Sequence, residues 1–373
     1  MKVGSIGLRG FRNHEATRAE FGGGINALLG DNGEGKTNLL EAIAYLSLTK
    51  SFYGAHDRVV AKIGGAGFEV DGRLVTDAGS PIDVRASFDA ANGVKTFTVN
   101  GARPETMASV IGRFPVVILS PENAGVTSGA PAERRRFMDL ILCQVSPVYL
   151  EDLQEYRRIL RQRNRVLLDM RTGRGGILEP WTLSLAARGA EVVVRRRAFV
   201  REFIPYIREA YREVVEERET PDIVYTGVEA AGGTADTESL RDLLLRMMEE
   251  RGGEERARGT SLVGPHRDDL ILSVSGRSLL DFGSQGQHKT MLVALKLAEF
   301  RYIREQRGER PLLLLDDLFG ELDDRRSRRI LATLAPLGQT VVTTTDEGHF
   351  HGAVPWDGAN RRFRIERGGC IAA

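Results

Sequence analysis

The sequence is poor in the features that mark an extracellular or membrane-spanning chain. It has only two cysteines, Cys143 and Cys370, among 373 residues, which is too few for a disulfide framework. Its longest apolar runs, such as the leucines of 312–315, fall far short of the roughly 20 residues that span a bilayer. The first 15 residues have neither an apolar core nor a small-residue cleavage site, so no secretory signal is visible. We therefore expect a cytoplasmic protein with no membrane partner.

Lysine is also scarce, with seven lysines against 45 arginines. The formal net charge is only +1, but the charge is unevenly distributed. Residues 134–201 contain 15 arginines and 7 acidic residues, so the rest of the chain is acidic on balance. Such asymmetry favours a nucleic-acid-binding surface. Arginines on solvated helix faces are the alternative explanation of the same count.

Hydrophobic periodicity divides the chain into three parts. The pattern of apolar residues in 1–119 predicts strands and one helix. Three segments between residues 68 and 100, in which apolar and polar residues alternate, predict an antiparallel meander. Helical spacing of apolar residues dominates 120–254, and residues 255–373 return to strands and helices. The order predicts an α/β fold in which a head domain, 1–119 and 255–373, is split by an inserted α-helical arm domain, 120–254.

The strongest motif is a glycine-rich loop between a predicted strand and an amphipathic helix. It matches the pattern G-x-x-x-x-G-K-[ST], and its residues are Gly30, Asp31, Asn32, Gly33, Glu34, Gly35, Lys36 and Thr37. Such glycines let successive backbone N–H groups turn toward phosphate oxygens at a helix N-terminus. Lys36 is expected to reach the β- and γ-phosphates of a nucleotide, and Thr37 is expected to hold Mg²⁺.

A nucleotide site of this type also needs a carboxylate at the end of an apolar strand. Asp316 and Asp317 directly follow the four leucines of 312–315. Asp316 suits the magnesium shell, and Asp317 is placed to orient or deprotonate the attacking water, which makes Asp317 and Lys36 the candidate catalytic residues. Asp316 lies 280 residues after Lys36. The middle of the chain must therefore loop out and return.

A second turn could bind an anion. Ser284, Gln285 and Gly286 precede a predicted helix, where a hydroxyl, a carboxamide and backbone N–H groups would be exposed. Since each head already has its own phosphate loop, the simplest use of this turn is on the nucleotide of a second copy. It therefore predicts a nucleotide-dependent homodimer, with a plain helix cap as the alternative.

Taken together, these motifs resemble the ABC-type ATPase heads of the SMC group and, within that group, the RecF family. The segments that carry the resemblance are LRGFRNHE (8–15), TKSF (49–52), SPENAGVTSGAPAERRRFMD (120–139), GPHRDDL (264–270), FGSQGQHKTMLVALKLAE (282–299) and LLLLDDLFGELDDRR (312–326). They span the chain in the family's order. The resemblance implies ATP and Mg²⁺ as cofactors, the Ser284 turn as the ABC signature, and Glu321, Leu322 and Asp323 as a D-loop that passes contacts across a dimer.

The same resemblance implies a cytoplasmic, weak, DNA-stimulated ATPase that dimerises with ATP. It would bind DNA at gaps and single-strand/double-strand junctions, help RecO and RecR to load RecA, and support replication and SOS induction. Two roles of ABC-type heads stay open in this sequence. Ser120 or Glu122 could replace the metal-contacting glutamine, and Thr345 is the candidate for sensing the γ-phosphate.

The arginines of the arm are candidate DNA contacts. Arg158, Arg161 and Arg165 follow helical spacing on one face, and 195–197 form a second basic block. The alternative is a solvated face whose arginines pair with nearby acidic residues.

Two other classes of ATPase fit less well: an SMC-like structural ATPase needs arms of hundreds of residues, and a transporter-coupling ATPase does not explain the arginine excess.

Overall fold

A computed structural model describes residues 1–215, 219–228, 236–317, 330–334, 336–350, 352 and 354–372. Contacts separate the chain into two units. The first unit is Met1–Ala124, Glu209–Arg218 and Leu292–Ala373, and the second is Gly125–Arg208 and Glu219–Met291. The second unit thus continues beyond residue 254, because strands on both sides of that position pair within it. The three-part domain division at residues 119 and 254 stays a prediction from the sequence.

An antiparallel sheet in the order β2-β1-β4-β5-β6 belongs to the first unit. Its strands are β1 (Lys2–Phe11), β2 (His14–Glu20), β4 (Gly67–Val75), β5 (Pro81–Asp89) and β6 (Val94–Val99). Alternate residues of β4 are buried, as a strand with one covered face requires. The predicted meander is confirmed as β4, β5 and β6, whereas β2 was not predicted.

A six-stranded sheet forms the rest of the strand framework in this unit. Its strands are β3 (Ile25–Leu29), β7 (Val116–Leu119), β11 (Leu312–Leu315), β12 (Thr340–Thr344), β13 (Arg361–Glu366) and β14 (Gly369–Ala372). The order is β14-β13-β3-β12-β11-β7, and only the edge pair β13 and β14 is antiparallel. In parallel sheets, ligands bind at the carboxyl ends of the strands. The predicted nucleotide motifs follow β3 and β11, which β12 separates.

Helix α1 (Lys36–Leu48) covers the antiparallel sheet. The approach is close, since a Cβ atom added at Gly72 would lie 2.3 Å from the side chain of Leu46. Other helices in the described part of the chain include α2 (Asp57–Val60), α3 (Gly125–Ser128), α4 (Pro131–Val145), α5 (Pro147–Arg171), α6 (Glu179–Val214), α7 (Thr237–Glu250), α8 (Gly252–Arg258), α9 (Leu279–Phe282) and α10 (Gln285–Arg307). In the described part of the chain, no helix is long and apolar enough to cross a membrane.

The second unit is helical, as predicted, but it also contains a small sheet. Strands β8 (Pro221–Thr226), β9 (Asp269–Val274) and β10 (Arg277–Ser278) pair antiparallel in the order β10-β9-β8. The sequence analysis predicted strands after residue 254, where β9 lies, but helices at the position of β8. β8 was missed because its short alternating pattern follows a long helix and pairs with a strand more than 40 residues away.

A buried polar cluster ties the long helices of the second unit together. Asp139 on α4 accepts hydrogen bonds from the hydroxyl of Tyr149 on α5, at 2.5 Å, and from the guanidinium of Arg196 on α6, at 2.8 Å. Arg196 also donates to the carbonyl of Pro265 at 2.6 Å. Because buried charges are costly when unpaired, these bonds restrict how the three helices can pack.

Candidate phosphate-binding site and nucleic-acid-binding arm

The loop between β3 and α1 has the conformation that its glycines predict. Gly35 has a φ of +112°, and a Cβ atom at Gly30 would lie 2.4 Å from the carbonyl oxygen of Ile365. A larger residue at Gly30 would therefore clash with β13. Helix α1 begins at Lys36 without a side-chain cap. Its first N–H groups are thus available to an anion, and the helix dipole favours negative charge there.

Segments from both ends of the chain contact the phosphate-binding loop at Glu34 and Gly35. Buried His14 lies with Nε2 3.0 Å from the carbonyl oxygen of Gly35 and with Nδ1 2.7 Å from that of Gly368. The N–H of Gly368 donates to the carbonyl of Glu34 at 2.9 Å, and the N–H of Arg367 donates to the Glu34 carboxylate. Burial lowers the pKa of His14. Glu34 therefore contacts the turn between β13 and β14.

Lys36 is buried and folds over its own loop. Its ammonium donates to the carbonyls of Gly30, at 2.7 Å, and Asp31, at 2.9 Å. Burial lowers the pKa of Lys36, and the negative charges of Asp317 and Asp316 oppose that shift. Those two carboxylates are therefore close enough to favour a positive Lys36, which is the form that binds phosphate oxygens.

The structure brings together the two motifs that the sequence placed in one site. Thr37 donates its hydroxyl hydrogen to Asp316 Oδ1 at 2.7 Å, although 279 residues separate them in the sequence. Asp316 is buried at the end of β11. A hydroxyl and a carboxylate are oxygen ligands of the kind that Mg²⁺ prefers, and Mg²⁺ usually keeps several of its waters. The pair therefore fits the predicted metal site. The described residues contain no cluster of three or more His, Cys, Asp or Glu side chains that could hold a metal ion.

Asp317 differs from its neighbour in exposure and backbone conformation. It is exposed, with a φ of +48°, so its backbone is in the left-handed region. Its N–H donates to the hydroxyl oxygen of Thr343 on β12 at 2.9 Å. The buried carboxylate of Asp316 suits a metal, and the exposed carboxylate of Asp317 suits a proton acceptor in contact with water. The metal-binding role of Asp316 and the catalytic role of Asp317 stay predictions.

The sequence analysis missed Tyr53 as a member of this site. Its hydroxyl donates to Asp316 Oδ2 at 3.0 Å. Burial raises the pKa of Tyr53, and so do the charges of Asp316 and Glu122. Tyr53 directly follows the segment 49–52 used for the family resemblance, but it belongs to none of the nucleotide motifs. The contact depends on how the chain folds back after α1.

The structure gives the surroundings of the candidates for the metal-contacting and γ-phosphate-sensing roles. Glu122 is exposed and near enough to Tyr53 to affect its pKa, whereas Ser120 is buried and its hydroxyl has no hydrogen-bond partner among the described residues. Thr345 is exposed and lines a cavity of about 820 Å³ together with Gly30 and Asp31. Ser120 and Glu122 therefore both stay candidates for the metal-contacting role, and Thr345 stays the candidate for sensing the γ-phosphate.

The Ser284 turn lies in the second unit and begins α10. The Ser284 hydroxyl accepts the N–H of Gln287 at 3.2 Å, and the Gln287 carboxamide accepts the N–H of Ser284 at 3.0 Å. This reciprocal arrangement is a capping box. Ser284 and Gln285 are exposed, so the cap does not bury the predicted anion-binding groups. Glu321, Leu322 and Asp323, the predicted D-loop, lie outside the described residues.

The arm arginines differ from one another in their partners. On α5, Arg158 forms two hydrogen bonds with Glu155, and Arg165 lies 3.4 Å from Asp169. Arg161 is exposed and has no ion-pair partner in the part of the chain that the structure describes. These three remain candidates for DNA contact.

The second basic block is not a single exposed surface. Arg196 is only 2% exposed, Arg195 pairs with Asp152, and Arg197 donates to the carbonyl of Val228. The prediction that all of 195–197 line a DNA groove is therefore wrong for Arg196. Successive helical residues point about 100° apart, because a helix has 3.6 residues per turn. Three consecutive arginines thus cannot share one face.

Relatives of known name match almost the whole chain. The "DNA replication and repair protein RecF" of Salinibacter ruber is 39% identical over 380 residues, which cover 100% of this chain and 92% of that protein. The protein of the same name from Chloroherpeton thalassium is 40% identical, and the match covers 94% of this chain and 96% of that one. The chain belongs to the RecF family.

Solved structures confirm the predicted RecF-type fold. One described as the recombination mediator protein RecF-ATPrS in the RecFOR pathway matches with a TM-score of 0.91 and 29% identity, covering 100% of this chain and 98% of that one. The SMC head bound to the C-winged helix domain of ScpA matches with a TM-score of 0.59 at 14% identity, with 100% and 97% covered, which shows likeness of fold. A family model described as an AAA domain matches residues 5–123. The predicted ABC-type P-loop head with an inserted arm is therefore correct.

Proposed function

We propose that this RecF-family chain is an ATP-dependent DNA-binding protein of recombinational repair and replication. The observation that carries the proposal is the hydrogen bond between Thr37 and Asp316, which unites a phosphate-binding loop and a strand-end carboxylate in one site. The names of its relatives, DNA replication and repair proteins, support the biological role. The matched structures, described as RecF-ATP and RecF-ATPrS, support ATP as the nucleotide.

The site residues divide the work of ATP hydrolysis among them. Lys36 exchanges its bonds to the carbonyls of Gly30 and Asp31 for bonds to phosphate oxygens. Thr37 and Asp316 supply oxygen ligands to Mg²⁺, which when bound neutralises charge on the β- and γ-phosphates. The exposed carboxylate of Asp317 orients a water molecule for attack and accepts its proton.

ATP hydrolysis controls the assembly of the protein and does not serve to make a product. ATP held by the loop Gly30–Thr37 of one copy also binds the exposed turn Ser284–Gly286 of a second copy, so that ATP closes a homodimer and hydrolysis opens it. The dimer binds DNA at gaps and single-strand/double-strand junctions through the arm of the second unit. In the cytoplasm it helps RecO and RecR to load RecA and supports SOS induction, with a weak, DNA-stimulated ATPase.

Light scattering tests the switch with two variants. Asp317→Asn keeps the Asp316 ligand but loses the proton acceptor, so with ATP and Mg²⁺ it should accumulate as a dimer of twice the monomer mass. Lys36→Ala should neither bind ATP tightly nor dimerise. If Asp317→Asn stays monomeric with ATP while hydrolysing it at the wild-type rate, Asp317 is not the catalytic carboxylate.

Filter binding tests the DNA role with gapped duplex, blunt duplex and single-stranded DNA. The wild type should prefer the gapped DNA, and ATP should increase its affinity. Asp317→Asn should hold DNA longer than the wild type in ATP, because hydrolysis no longer opens the dimer. Equal affinity for all three DNAs, with and without ATP, would contradict the proposed function.

A further inference from the structure

Both oxygens of the Asp316 carboxylate accept hydrogen bonds. Oδ1 accepts the hydroxyls of Thr37 and Thr343, both at 2.7 Å, and Oδ2 accepts the hydroxyl of Tyr53 at 3.0 Å. The two threonines lie on α1, which follows the phosphate loop, and on β12, which lies between β3 and β11 in the sheet. Tyr53 comes from the loop after α1, which no nucleotide motif includes. The proposed mechanism gives no role to the hydrogen bond from the Tyr53 hydroxyl to Asp316 Oδ2.

Tyr53 is held in place by its own backbone and by its neighbours. Its N–H donates to the hydroxyl oxygen of Ser51 at 3.2 Å, and Ser51 in turn donates to the carboxylate of Glu41. Glu41 is fully buried and accepts two hydrogen bonds from Arg12, at 2.8 and 2.9 Å. The ring of Tyr53 packs against Phe52 with ring centroids 4.2 Å apart. A chain of contacts therefore runs from the turn between β1 and β2, through α1, to the hydroxyl that contacts Asp316.

The chemistry of the phenol suits a group that must orient a carboxylate without neutralising it. A lysine or arginine in this place would compete with a bound cation for the negative charge. A neutral hydroxyl restricts rotation of the carboxylate and leaves its full charge for the metal. Since Asp316 is buried, water competes little for this hydrogen bond.

We propose that Tyr53 is a positioning residue that orients Asp316 for Mg²⁺, with its own position fixed through Ser51, Glu41 and Arg12. The inference rests on the proposed function, in which Asp316 binds the metal. Tyr53 acts through Asp316 and not by contact with the nucleotide. Its loss should therefore change the response to Mg²⁺ and leave metal-free nucleotide binding intact.

The test compares Tyr53→Phe with the matched control Tyr45→Phe. Tyr45 is a buried tyrosine on α1 whose hydroxyl donates to Asp57 at 2.5 Å, so its variant loses the same atom at a different carboxylate. Affinity for a fluorescent ATP analogue is titrated against Mg²⁺ and, separately, measured in EDTA. Tyr53→Phe should raise the half-saturating Mg²⁺ concentration about five- to tenfold, the effect of one lost hydrogen bond. Its affinity in EDTA should match the wild type, and Tyr45→Phe should change neither value.

A spectroscopic measurement reports on the same geometry without hydrolysis. Tb³⁺ prefers oxygen ligands and emits when an excited tyrosine lies close to it. With ADP present and excitation of tyrosine, the wild type and Tyr45→Phe should show sensitised emission that Asp316→Asn removes. Tyr53→Phe removes the donor and should lose most of that emission, which identifies Tyr53 as the tyrosine beside the bound ion; unchanged emission in Tyr53→Phe would contradict that position.

Asp316→Asn separates this inference from the proposed function. If Asp316→Asn leaves the Mg²⁺ dependence unchanged, the metal assignment fails and the inference fails with it. If Asp316→Asn abolishes the Mg²⁺ response while Tyr53→Phe behaves as Tyr45→Phe does, the proposed function stands and the role of Tyr53 is overturned. Should Tyr53→Phe prove unstable on heating, Ser51→Ala replaces it. That variant frees the backbone of Tyr53 and should shift the Mg²⁺ midpoint in the same direction, and an unshifted midpoint would equally overturn the inference.

Discussion

Thr343 donates its hydroxyl hydrogen to Asp316 Oδ1 at 2.7 Å, from the strand that separates the two nucleotide motifs. The same hydroxyl oxygen accepts the N–H of Asp317 at 2.9 Å. The side chain of one buried threonine thus contacts both the carboxylate of the metal-binding candidate and the backbone N–H of the catalytic candidate. The relative position of Asp316 and Asp317 therefore depends on β12 as well as on β11, which directly precedes them.

Thr343→Val should weaken both the fold and the site. Valine has nearly the same shape but leaves the Asp317 N–H without its acceptor, which costs about 1–3 kcal/mol of unfolding free energy. Urea unfolding measures this loss, and the Mg²⁺-dependent ATPase rate should fall with it. Thr340→Val is the control on the same strand, because the buried Thr340 hydroxyl has no hydrogen-bond partner among the described residues. That variant should be as stable as the wild type or more so, and equal losses in the two variants would contradict the role of Thr343.

Ser284→Arg should separate ATP binding from dimerisation. It places bulk and charge where the γ-phosphate of a second copy is proposed to bind, while the loop Gly30–Thr37 of the same copy is untouched. Equilibrium dialysis should show normal ATP binding, and light scattering should show no dimer. Ser284→Ala controls for the capping box: it loses the bond to Gln287 and about 1 kcal/mol of stability but adds no bulk. If both variants dimerise equally well, Ser284 is only a helix cap.

The arm prediction concerns the salt dependence of DNA binding. Replacing Arg158, Arg161 and Arg165 with Gln should weaken binding about equally across DNA sequences. Each lost phosphate contact should lower the slope of log affinity against log salt by roughly 0.9 on duplex DNA. Arg161→Gln alone is the sharpest case, because Arg161 has no acidic partner among the residues described. Arg73→Gln, which breaks an exposed pair with Asp83 in the first unit, is the control. An unchanged slope in the triple variant would place the DNA site elsewhere.

His266 makes the stability of the second unit depend on pH. Its Nδ1 lies 2.5 Å from the Tyr156 hydroxyl, and burial lowers its pKa to about 4, against about 6.5 for an unfolded histidine. Between these two values the unfolded chain binds a proton that the folded chain does not. Neutral His266 therefore makes its full contribution to the free energy of unfolding above pH 6.5. That contribution decreases as the pH falls toward 4, and the total loss is up to about 3 kcal/mol.

Urea unfolding between pH 7.5 and 4.5 checks this sign and size. His266→Gln removes the titrating group, so its unfolding free energy should fall less with decreasing pH than that of the wild type. His56→Gln, at an exposed position of the first unit, should keep the wild-type dependence. A His266→Gln curve parallel to the wild type would show that His266 titrates normally in the folded state.

Local patterns predicted the central elements of the fold and site. The helix expected after the phosphate loop is α1, and the strands expected before that loop and before Asp316 are β3 and β11. These three predictions were correct because each segment has a clear pattern of hydrophobic residues and is bounded by the glycines of the loop or by a carboxylate. The closeness of Thr37 and Asp316 also followed, since both motifs belong to one kind of site.

Other parts of the site could not be predicted, because they depend on contacts between distant segments. Tyr53 reaches Asp316, and His14 reaches Gly368, only after the sheets have formed. Nothing local distinguishes these residues from ordinary loop and strand residues. The burial of Arg196 has the same origin, since its partner Asp139 lies on another helix.

The contacts of Gly368 with His14 and Glu34 have a consequence for synthesis. The phosphate-binding loop is made early, yet its far side is held by residues more than 330 positions later. On the ribosome, the loop therefore stays without this support until translation has passed Gly368 and the segment has left the exit tunnel. Nucleotide affinity should appear late and abruptly in nascent chains of increasing length. The nucleotide site would thereby be kept inactive while the protein is still being made.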